Sequence, residues 1–308
     1  MKKAIIGLVA ALAAGLPIAR AADSAPTSLT IDNADVKGNL FVPTAGGRHA
    51  AVLVLGGSEG GNAWARSVAA ALSAQGYVAF AESYFKAPGL PDKLQEIPLE
   101  RFRAGIDLLS TRQDVDPARV GVLGLSKGAE AALLIAAHDA RIHAVVAGSP
   151  ADMAFEGIDR SGKSHLGSWS LDGKALPYAP FTACACQSLA ELYAKSREAD
   201  KDAGTQIPVE SINGPILLLS SAADQVWPSK TMAEAIDARQ HAKGFRFAVR
   251  QLEYPQGGHF SLGLVPTPED AKDDADFGGG TPAGVIAARK DAWPKVLDFL
   301  HDSLKPAS

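Results

Sequence analysis

The chain of 308 residues contains only two cysteines, Cys184 and Cys186. Two cysteines are too few to build a disulfide framework. Because one residue separates them, they either occupy a loop as two small side chains or form a disulfide with each other. Two thiols with no histidine close by in the sequence make a poor metal site. The sequence therefore predicts neither a metal ion nor an organic cofactor.

Basic residues are also fewer than acidic ones. The whole chain has 30 basic and 34 acidic residues, and residues 1–21 contain Lys2, Lys3, Arg20 and no acid. Without that segment, 27 basic residues face 34 acidic ones, a net charge of about −7. Such a balance argues against nucleic acid or an anionic membrane surface as a partner. It does not favour a polyanionic substrate either.

Long apolar runs are absent after the N-terminus, where MKKAIIGLVAALAAGLPIARA predicts a secretory signal peptide over residues 1–21. Two lysines precede the apolar run, and Ala19-Arg20-Ala21 provides an A-x-A cleavage signal. An uncleaved membrane anchor is the alternative, but the run is shorter than the ~20 residues of a span. We therefore expect a secreted, periplasmic protein with no stable membrane insertion once the signal is removed.

Residues 22–308 read as one α/β domain in which buried strands alternate with helices. AAVLVLGG, for example, is a continuous apolar run ending in glycines, as expected for a strand buried on both faces. This alternation predicts a mostly parallel, doubly wound sheet. The expected strands are 29–31 and 38–42 (a short antiparallel edge pair), 50–57, 77–83, 120–125, 143–149, 215–221 and 245–254, and the expected helices include 62–75, 98–112, 229–241 and 284–304.

The alternation stops in a segment of about 151–212, which has a single clear helix near 186–202. An insertion of this length after a strand is where a cap or lid would lie. Its aromatic residues Trp169, Tyr178 and Phe181 either line an apolar acyl pocket or pack in the interior.

Gly124-Leu125-Ser126-Lys127-Gly128 matches the pattern G-x-S-x-G between an apolar strand and an alanine-rich helix. A sharp strand-to-helix turn needs glycine two residues before and two after the serine, and it exposes the hydroxyl above the sheet. The helix N-terminus then lies beside that hydroxyl. This setting favours Ser126 as a nucleophile over a structural serine.

A serine hydroxyl needs a base, and the α/β-hydrolase order is Ser, then an acid, then His. Of seven histidines, His259 fits by order and placement, since YPQGGHF directly follows the last predicted strand. Asp224 follows the strand PILLLSS, at an edge where catalytic groups collect. Its role would be to hold the tautomer of His259 and stabilise the imidazolium. A turn or capping aspartate is the alternative.

An oxyanion hole requires two backbone N–H donors. We expect one from Lys127, the residue after the serine, and the other from Ser58 or Glu59 in the loop GGSEGG. The Lys127 side chain could face an anionic leaving group, but a solvated lysine at the start of the helix is the expectation.

Taken together, these segments resemble the catalytic domain of the bile acid-CoA:amino acid N-acyltransferase and acyl-CoA thioesterase family. The resemblance is carried by GGSEGG, ESYFKAPGLPDKLQEIPLE, VGVLGLSKGAEAALLIA, SWSLDGKALPYAP, IPVESINGPILLLSSAADQVWPS and GGTPAGVIAARKDAWPKVLDFL. It implies an α/β-hydrolase fold with Ser126 as nucleophile, Asp224 as acid and His259 as base. Acyltransferase members are similar but use cysteine as nucleophile, so the serine favours transfer to water.

The leading hypothesis is an exported serine hydrolase that cleaves a small-molecule acyl thioester or ester through an acyl-enzyme on Ser126. Acyl transfer to an amine or hydroxyl is one alternative, and a carboxylesterase similar to dienelactone hydrolases is another. A non-catalytic binding protein on the same scaffold is a third, although the intact Ser, Asp and His order argues against it.

Overall fold

The computed structural model describes residues 26–306. The predicted signal peptide, residues 1–21, lies outside them. In this part of the chain the strands are β1 (Thr27–Asp32), β2 (Lys37–Val42), β3 (His49–Leu55), β4 (Val78–Glu82), β5 (Ile97–Pro98), β6 (Val115–Leu125), β7 (Ile142–Gly148), β8 (Trp169–Leu171), β9 (Lys174–Ala175), β10 (Ile216–Ser220) and β11 (Val249–Glu253). The α-helices are α1 (Ala63–Ala74), α2 (Leu99–Ser110), α3 (Lys127–His138), α4 (Leu189–Ala199), α5 (Ser229–Ala242), α6 (Pro268–Gly278) and α7 (Pro282–Ser303).

Eight strands form one twisted sheet in the order β1-β2-β4-β3-β6-β7-β10-β11. The β1–β2 and β2–β4 pairs are antiparallel, and every later pair in the sheet is parallel. The predicted α/β-hydrolase fold with a mostly parallel, doubly wound sheet is confirmed. The parallel strands all end at one edge, so the loops that follow them meet there.

The sheet is covered by helices on both faces. In β3, Leu53 and Leu55 pack into one apolar cluster, whereas Val52 and Val54 pack into the other. Consecutive residues of a strand point to opposite faces, which explains why this strand is apolar without interruption. Helices α2, α3 and α5 contribute to the first cluster, and α1 and α7 contribute to the second.

Residues 149–215 separate β7 from β10. Within this insertion, β8 and β9 join β5 in a small three-stranded sheet. Its helix α4 is shorter than the predicted 186–202. An aromatic cluster that includes Phe155 and Tyr193 packs the insertion against Trp227, which follows β10.

Several elements differ from the sequence prediction: β6 begins at Val115 rather than at 120, the strands of the small sheet (β5, β8 and β9) were not predicted, and the last strand and α6 differ as well. The last strand covers Val249–Glu253 rather than 245–254, because only this stretch pairs with β10 and it lies at the sheet edge. Helix α6 was not predicted, although Thr267 caps it by accepting the Asp270 N–H and Pro268 occupies its first turn. The sequence of α6 is rich in acidic residues, so the narrow apolar side that packs against α7 gives no clear helical pattern. No helix in residues 26–306 combines the length and apolarity needed to cross a bilayer.

Candidate active site

Ser126 lies at the sharp turn from β6 into α3. Its backbone has φ 58° and ψ −126°, a conformation that costs energy for a residue other than glycine. The flanking glycines make the turn possible. A Cβ at Gly124 would lie 2.1 Å from the Gly128 carbonyl oxygen, and one at Gly128 would lie 2.3 Å from the Gly56 oxygen. The motif therefore packs the start of α3 directly against the loop after β3.

His259 and Asp224 meet at the same edge of the sheet. His259 Nδ1 lies 2.9 Å and 3.0 Å from the two carboxylate oxygens of Asp224. The side chains are 2% and 1% exposed. An ionised carboxylate only accepts hydrogen bonds, so this contact places the proton on Nδ1 and leaves Nε2 as a proton acceptor.

The loops around this pair are held by their own hydrogen bonds. Asp224 Oδ1 also accepts the N–H groups of Val226 and Trp227, at 2.9 Å and 3.2 Å. The backbone N–H of His259 donates to the Gly278 carbonyl oxygen over 2.9 Å, and the Ser149 hydroxyl donates to the backbone carbonyl oxygen of His259 over 2.6 Å. These bonds fix the orientation of both side chains before any substrate arrives.

Ser126 and His259 both line a cavity of about 600 Å³. Its walls are formed mainly by α1, α6 and the segment after His259, with apolar side chains from Trp64, Val68, Leu264, Val265 and Phe277. The structure thus brings the predicted nucleophile and base to one cavity and places the predicted acid behind the base. This apolar wall was not predicted from the sequence, because part of it comes from the unpredicted helix α6.

The predicted oxyanion loop borders the same cavity. Ser58 and Glu59 line it, and a Cβ at Gly57 would lie 3.1 Å from Ser126 Cβ. Glu59 Oε1 accepts the Gly57 N–H over 3.0 Å. Burial raises the pKa of the Glu59 carboxyl, and the N–H groups of Glu59 and Gly57 partly oppose this rise. A buried carboxyl group with a raised pKa therefore lies beside the candidate site.

The Lys127 side chain is buried, which corrects the expectation of a solvated lysine. Its Nζ lies 2.9 Å from Glu130 Oε2 and 2.8 Å from Ser168 Oγ, and it is 1% exposed. Burial lowers the pKa of Lys127, while the Glu130 carboxylate raises it in part. The ammonium group is bound to Glu130 and Ser168 and does not line the cavity.

Glu130 connects α3 to the insertion. Its Oε1 accepts the Trp169 indole N–H over 2.7 Å and the Phe155 N–H over 3.1 Å. Trp169 is buried, Tyr178 donates its hydroxyl to the His165 carbonyl oxygen, and Phe181 packs edge-on against Tyr193. None of the three aromatic residues lines the cavity. Trp169 packs in the interior, whereas Tyr178 and Phe181 are half-buried at its edge.

Cys184 and Cys186 form a disulfide with each other in an exposed loop before α4. Of the two states considered from the sequence, the structure thus contains the disulfide and not two free thiols. Within residues 26–306, no group of three or more His, Cys, Asp or Glu side chains is arranged to hold a metal ion.

An open, mostly parallel sheet with a strained serine turn and a buried His–Asp pair beyond later strands defines the class of α/β hydrolases. Solved structures agree on the fold. A dienelactone hydrolase from Anabaena variabilis has a TM-score of 0.52 at 16% identity, over 92% of this chain and 100% of that one. A puromycin-hydrolyzing peptidase of Mycobacterium tuberculosis has a TM-score of 0.56 at 15% identity, over 92% of this chain and 40% of that one.

The chain belongs to the family described as BAAT / Acyl-CoA thioester hydrolase C terminal, whose profile matches residues 97–306. Similar proteins include mouse (Mus musculus) acyl-coenzyme A thioesterase 6, 26% identical over 287 residues. Mouse bile acid-CoA:amino acid N-acyltransferase is 27% identical over 292 residues. The alignments cover 88% and 90% of this chain but 65% and 66% of those relatives. The predicted family resemblance is confirmed.

Proposed function

We propose that this protein is a serine hydrolase that cleaves an acyl thioester or ester through an acyl-enzyme on Ser126. The observation that carries the proposal is the buried His259–Asp224 contact beside a cavity that Ser126 also lines. The family match supports the class of bond, because several relatives are named acyl-coenzyme A thioesterases. Those relatives are longer than the part that matches this chain, so their names do not establish its substrate. The substrate is therefore part of the proposal.

In this mechanism, Ser126 Oγ attacks the acyl carbonyl carbon while His259 Nε2 takes the hydroxyl proton. Asp224 keeps His259 in the tautomer that leaves Nε2 free, and it stabilises the imidazolium that forms. The oxyanion is stabilised by the N–H of Lys127 and by an N–H of the loop after β3. His259 then returns the proton to the departing thiolate or alkoxide, and it activates water to release the acid.

The acyl group is proposed to lie in the apolar part of the cavity, between α1 and α6. Trp64 and Val68 come from one side, and Val265 and Phe277 come from the other. Apolar surface buried against these side chains favours binding by about 0.8 kcal/mol for each CH₂ group. This placement supports a carboxylic acid with a hydrocarbon chain over a highly charged one.

A fluorophosphonate probe tests the nucleophile. Intact-mass spectrometry is expected to show one adduct, mapped to Ser126 by peptide sequencing, and Ser126→Ala is expected to abolish both the adduct and the turnover. A matched pair of substrates, palmitoyl-coenzyme A and p-nitrophenyl palmitate, then separates thioesterase from esterase activity. Labelling elsewhere, or full turnover by the variant, would overturn the serine mechanism. A wild-type protein that shows neither labelling nor turnover would favour the binding-protein alternative.

Acyl transfer is the second candidate, because an N-acyltransferase is as similar to this chain as the thioesterases are. It predicts an amide product when amino acids such as glycine and alanine are added to the reaction. Product analysis with and without these amines decides between the two. Free acid alone, at an unchanged rate, supports hydrolysis.

We propose further that the protein acts after export. The support is the signal-like sequence of residues 1–21, together with the Cys184–Cys186 disulfide, which suits an oxidising compartment. N-terminal sequencing of protein from a bacterial periplasmic fraction is expected to begin at Ala22. Recovery of the intact N-terminus from the cytoplasmic fraction would contradict export.

A further inference from the structure

The loop after β3 has three consecutive backbone N–H groups, those of Gly57, Ser58 and Glu59, beside the cavity that Ser126 lines. The Gly57 N–H donates to Glu59 Oε1 over 3.0 Å and is therefore occupied. Among the hydrogen bonds of residues 26–306, none uses the N–H of Ser58 or of Glu59. Of these two free donors, the Ser58 N–H is the one whose peptide group contacts Tyr84.

Tyr84 fixes the direction of that donor. Its hydroxyl oxygen lies 2.6 Å from the Gly56 carbonyl oxygen and 3.2 Å from the Gly57 carbonyl oxygen. In a trans peptide the C=O of one residue and the N–H of the next point in opposite directions. With the Gly57 carbonyl turned toward Tyr84, the Ser58 N–H must point away from Tyr84. Ser58 lines the cavity with Ser126, whereas Tyr84 does not.

The Tyr84 ring is itself immobilised. It is 1% exposed and packs against Phe85, Phe102 and Trp169, with ring centroids 5.2–6.1 Å apart. Burial raises the pKa of Tyr84 well above its ordinary value, and the neighbouring carboxylates of Glu59 and Glu130 raise it further. The phenol consequently stays protonated and remains a donor across the pH range in which a hydrolase works.

We propose that Tyr84 is a positioning residue that aims the Ser58 N–H at the oxyanion, so that Ser58 and Lys127 supply the two donors of the oxyanion hole. The proposal rests on the acyl-enzyme mechanism proposed above. Tyr84 touches neither substrate nor reacting atoms and acts through the carbonyl groups of Gly56 and Gly57, the second of which belongs to the Gly57–Ser58 peptide. Its loss should weaken interactions with the tetrahedral oxyanion and spare those with the planar substrate.

The test compares Tyr84→Phe with Tyr178→Phe, which removes a hydroxyl that binds a loop carbonyl outside the cavity. Each protein is first titrated to completion with the fluorophosphonate, so that rates refer to competent sites. Removing one oxyanion donor costs roughly 10²–10³ in kcat, and a donor that is only misdirected should cost about 10-fold to 100-fold. With p-nitrophenyl butyrate, we expect this loss for Tyr84→Phe with KM within about twofold.

A trifluoromethyl ketone with a butyl chain provides the second readout, because it forms a tetrahedral adduct with the serine. Its inhibition constant should weaken by the same factor as kcat in Tyr84→Phe and stay unchanged in Tyr178→Phe. Unchanged kcat, or a loss confined to KM, would overturn the role of Tyr84. If the role of Tyr84 is overturned in this way but the fluorophosphonate still labels Ser126 in both variants, the proposed serine-hydrolase function remains intact. If it labels Ser126 in neither variant nor the wild type, the proposed function itself fails.

Discussion

Lys127 and Glu130 form an ion pair, 2.9 Å between Nζ and Oε2, that is closed off from solvent between α3 and the insertion. Glu130 also accepts hydrogen bonds from Trp169 and Phe155 of the insertion. The residue directly after the predicted nucleophile thus anchors the insertion through its side chain. Its backbone N–H is the donor proposed above for the oxyanion.

Replacing Lys127 with methionine should lower the free energy of unfolding by about 3–5 kcal/mol, because Glu130 is left as an unpaired buried charge. The double variant Lys127→Met/Glu130→Gln should recover part of this loss, since the amide oxygen can still accept from Trp169. Urea unfolding measures both. Lys195→Met, which breaks an exposed pair with Glu191, should leave the free energy of unfolding nearly unchanged. Equal losses for Lys127→Met and Lys195→Met would contradict this account.

Asp224→Asn should lower kcat by about 10³–10⁴, because the amide can no longer hold His259 in the required tautomer. The fold should survive, since the amide oxygen can still accept the N–H groups of Val226 and Trp227. Steady-state kinetics and circular dichroism check the two parts. Asp302→Asn, at an exposed position of α7, serves as the control. A variant with near-normal kcat would remove Asp224 from the mechanism.

Gly128→Ala should disrupt the serine turn, because its Cβ would lie 2.3 Å and 2.4 Å from the carbonyl oxygens of Gly56 and Leu55. Backbone on both sides would have to move, so we expect a loss of at least about 2 kcal/mol in stability together with nearly all activity. Gly46→Ala is the matched control, since nothing lies within 4 Å of its Cβ. Thermal melts and turnover of the two variants should differ sharply; similar behaviour would show that the turn tolerates a side chain.

Phe277→Ala should change chain-length preference without changing the chemistry. Phe277 lines the cavity yet is 60% exposed, which places it on the rim where a long acyl chain would emerge. We expect kcat/KM for p-nitrophenyl palmitate to fall about 5-fold to 20-fold, the equivalent of one or two buried CH₂ groups, while the acetate ester is unaffected. Leu29→Ala removes an exposed apolar side chain from β1 as a control. An equal fall for both esters would place the acyl chain elsewhere.

Glu82 should make stability depend on pH. It is fully buried, and among residues 26–306 neither carboxyl oxygen has a hydrogen-bond partner. Burial raises its pKa well above the ordinary 4.5, although Arg101 opposes the rise. The folded chain keeps this proton where the unfolded chain has released it. The free energy of unfolding should therefore fall as pH rises from about 4.5 toward the folded pKa, by up to ~1.4 kcal/mol per pH unit.

Glu82→Gln removes this titration. The free energy of unfolding of the variant, relative to that of the wild type, should therefore increase between pH 5 and pH 8. Urea unfolding at several pH values measures the difference. A constant difference would mean that the carboxyl is ionised in the folded protein.

Much of the fold was predictable because it follows from local patterns. Apolar runs buried on both faces marked the parallel strands, and Gly124 and Gly128 marked the turn at Ser126. Chain order then singled out Asp224 and His259, since loops after parallel strands meet at one edge. Helix α6 was missed, because its acidic sequence carries only a narrow apolar side.

The class of fold, the family and the short list of chemical groups follow from the amino-acid sequence, because each depends on residues close together in the chain or on their order. The partners of Lys127, the wall of the cavity and the contact of Tyr84 with the loop after β3 are set instead by how the chain packs. Lys127 and Ser168 are 41 residues apart, and Tyr84 and Gly56 are 28 residues apart. No local pattern encodes such contacts; they arise when packing brings distant segments together and buried polar groups must find partners.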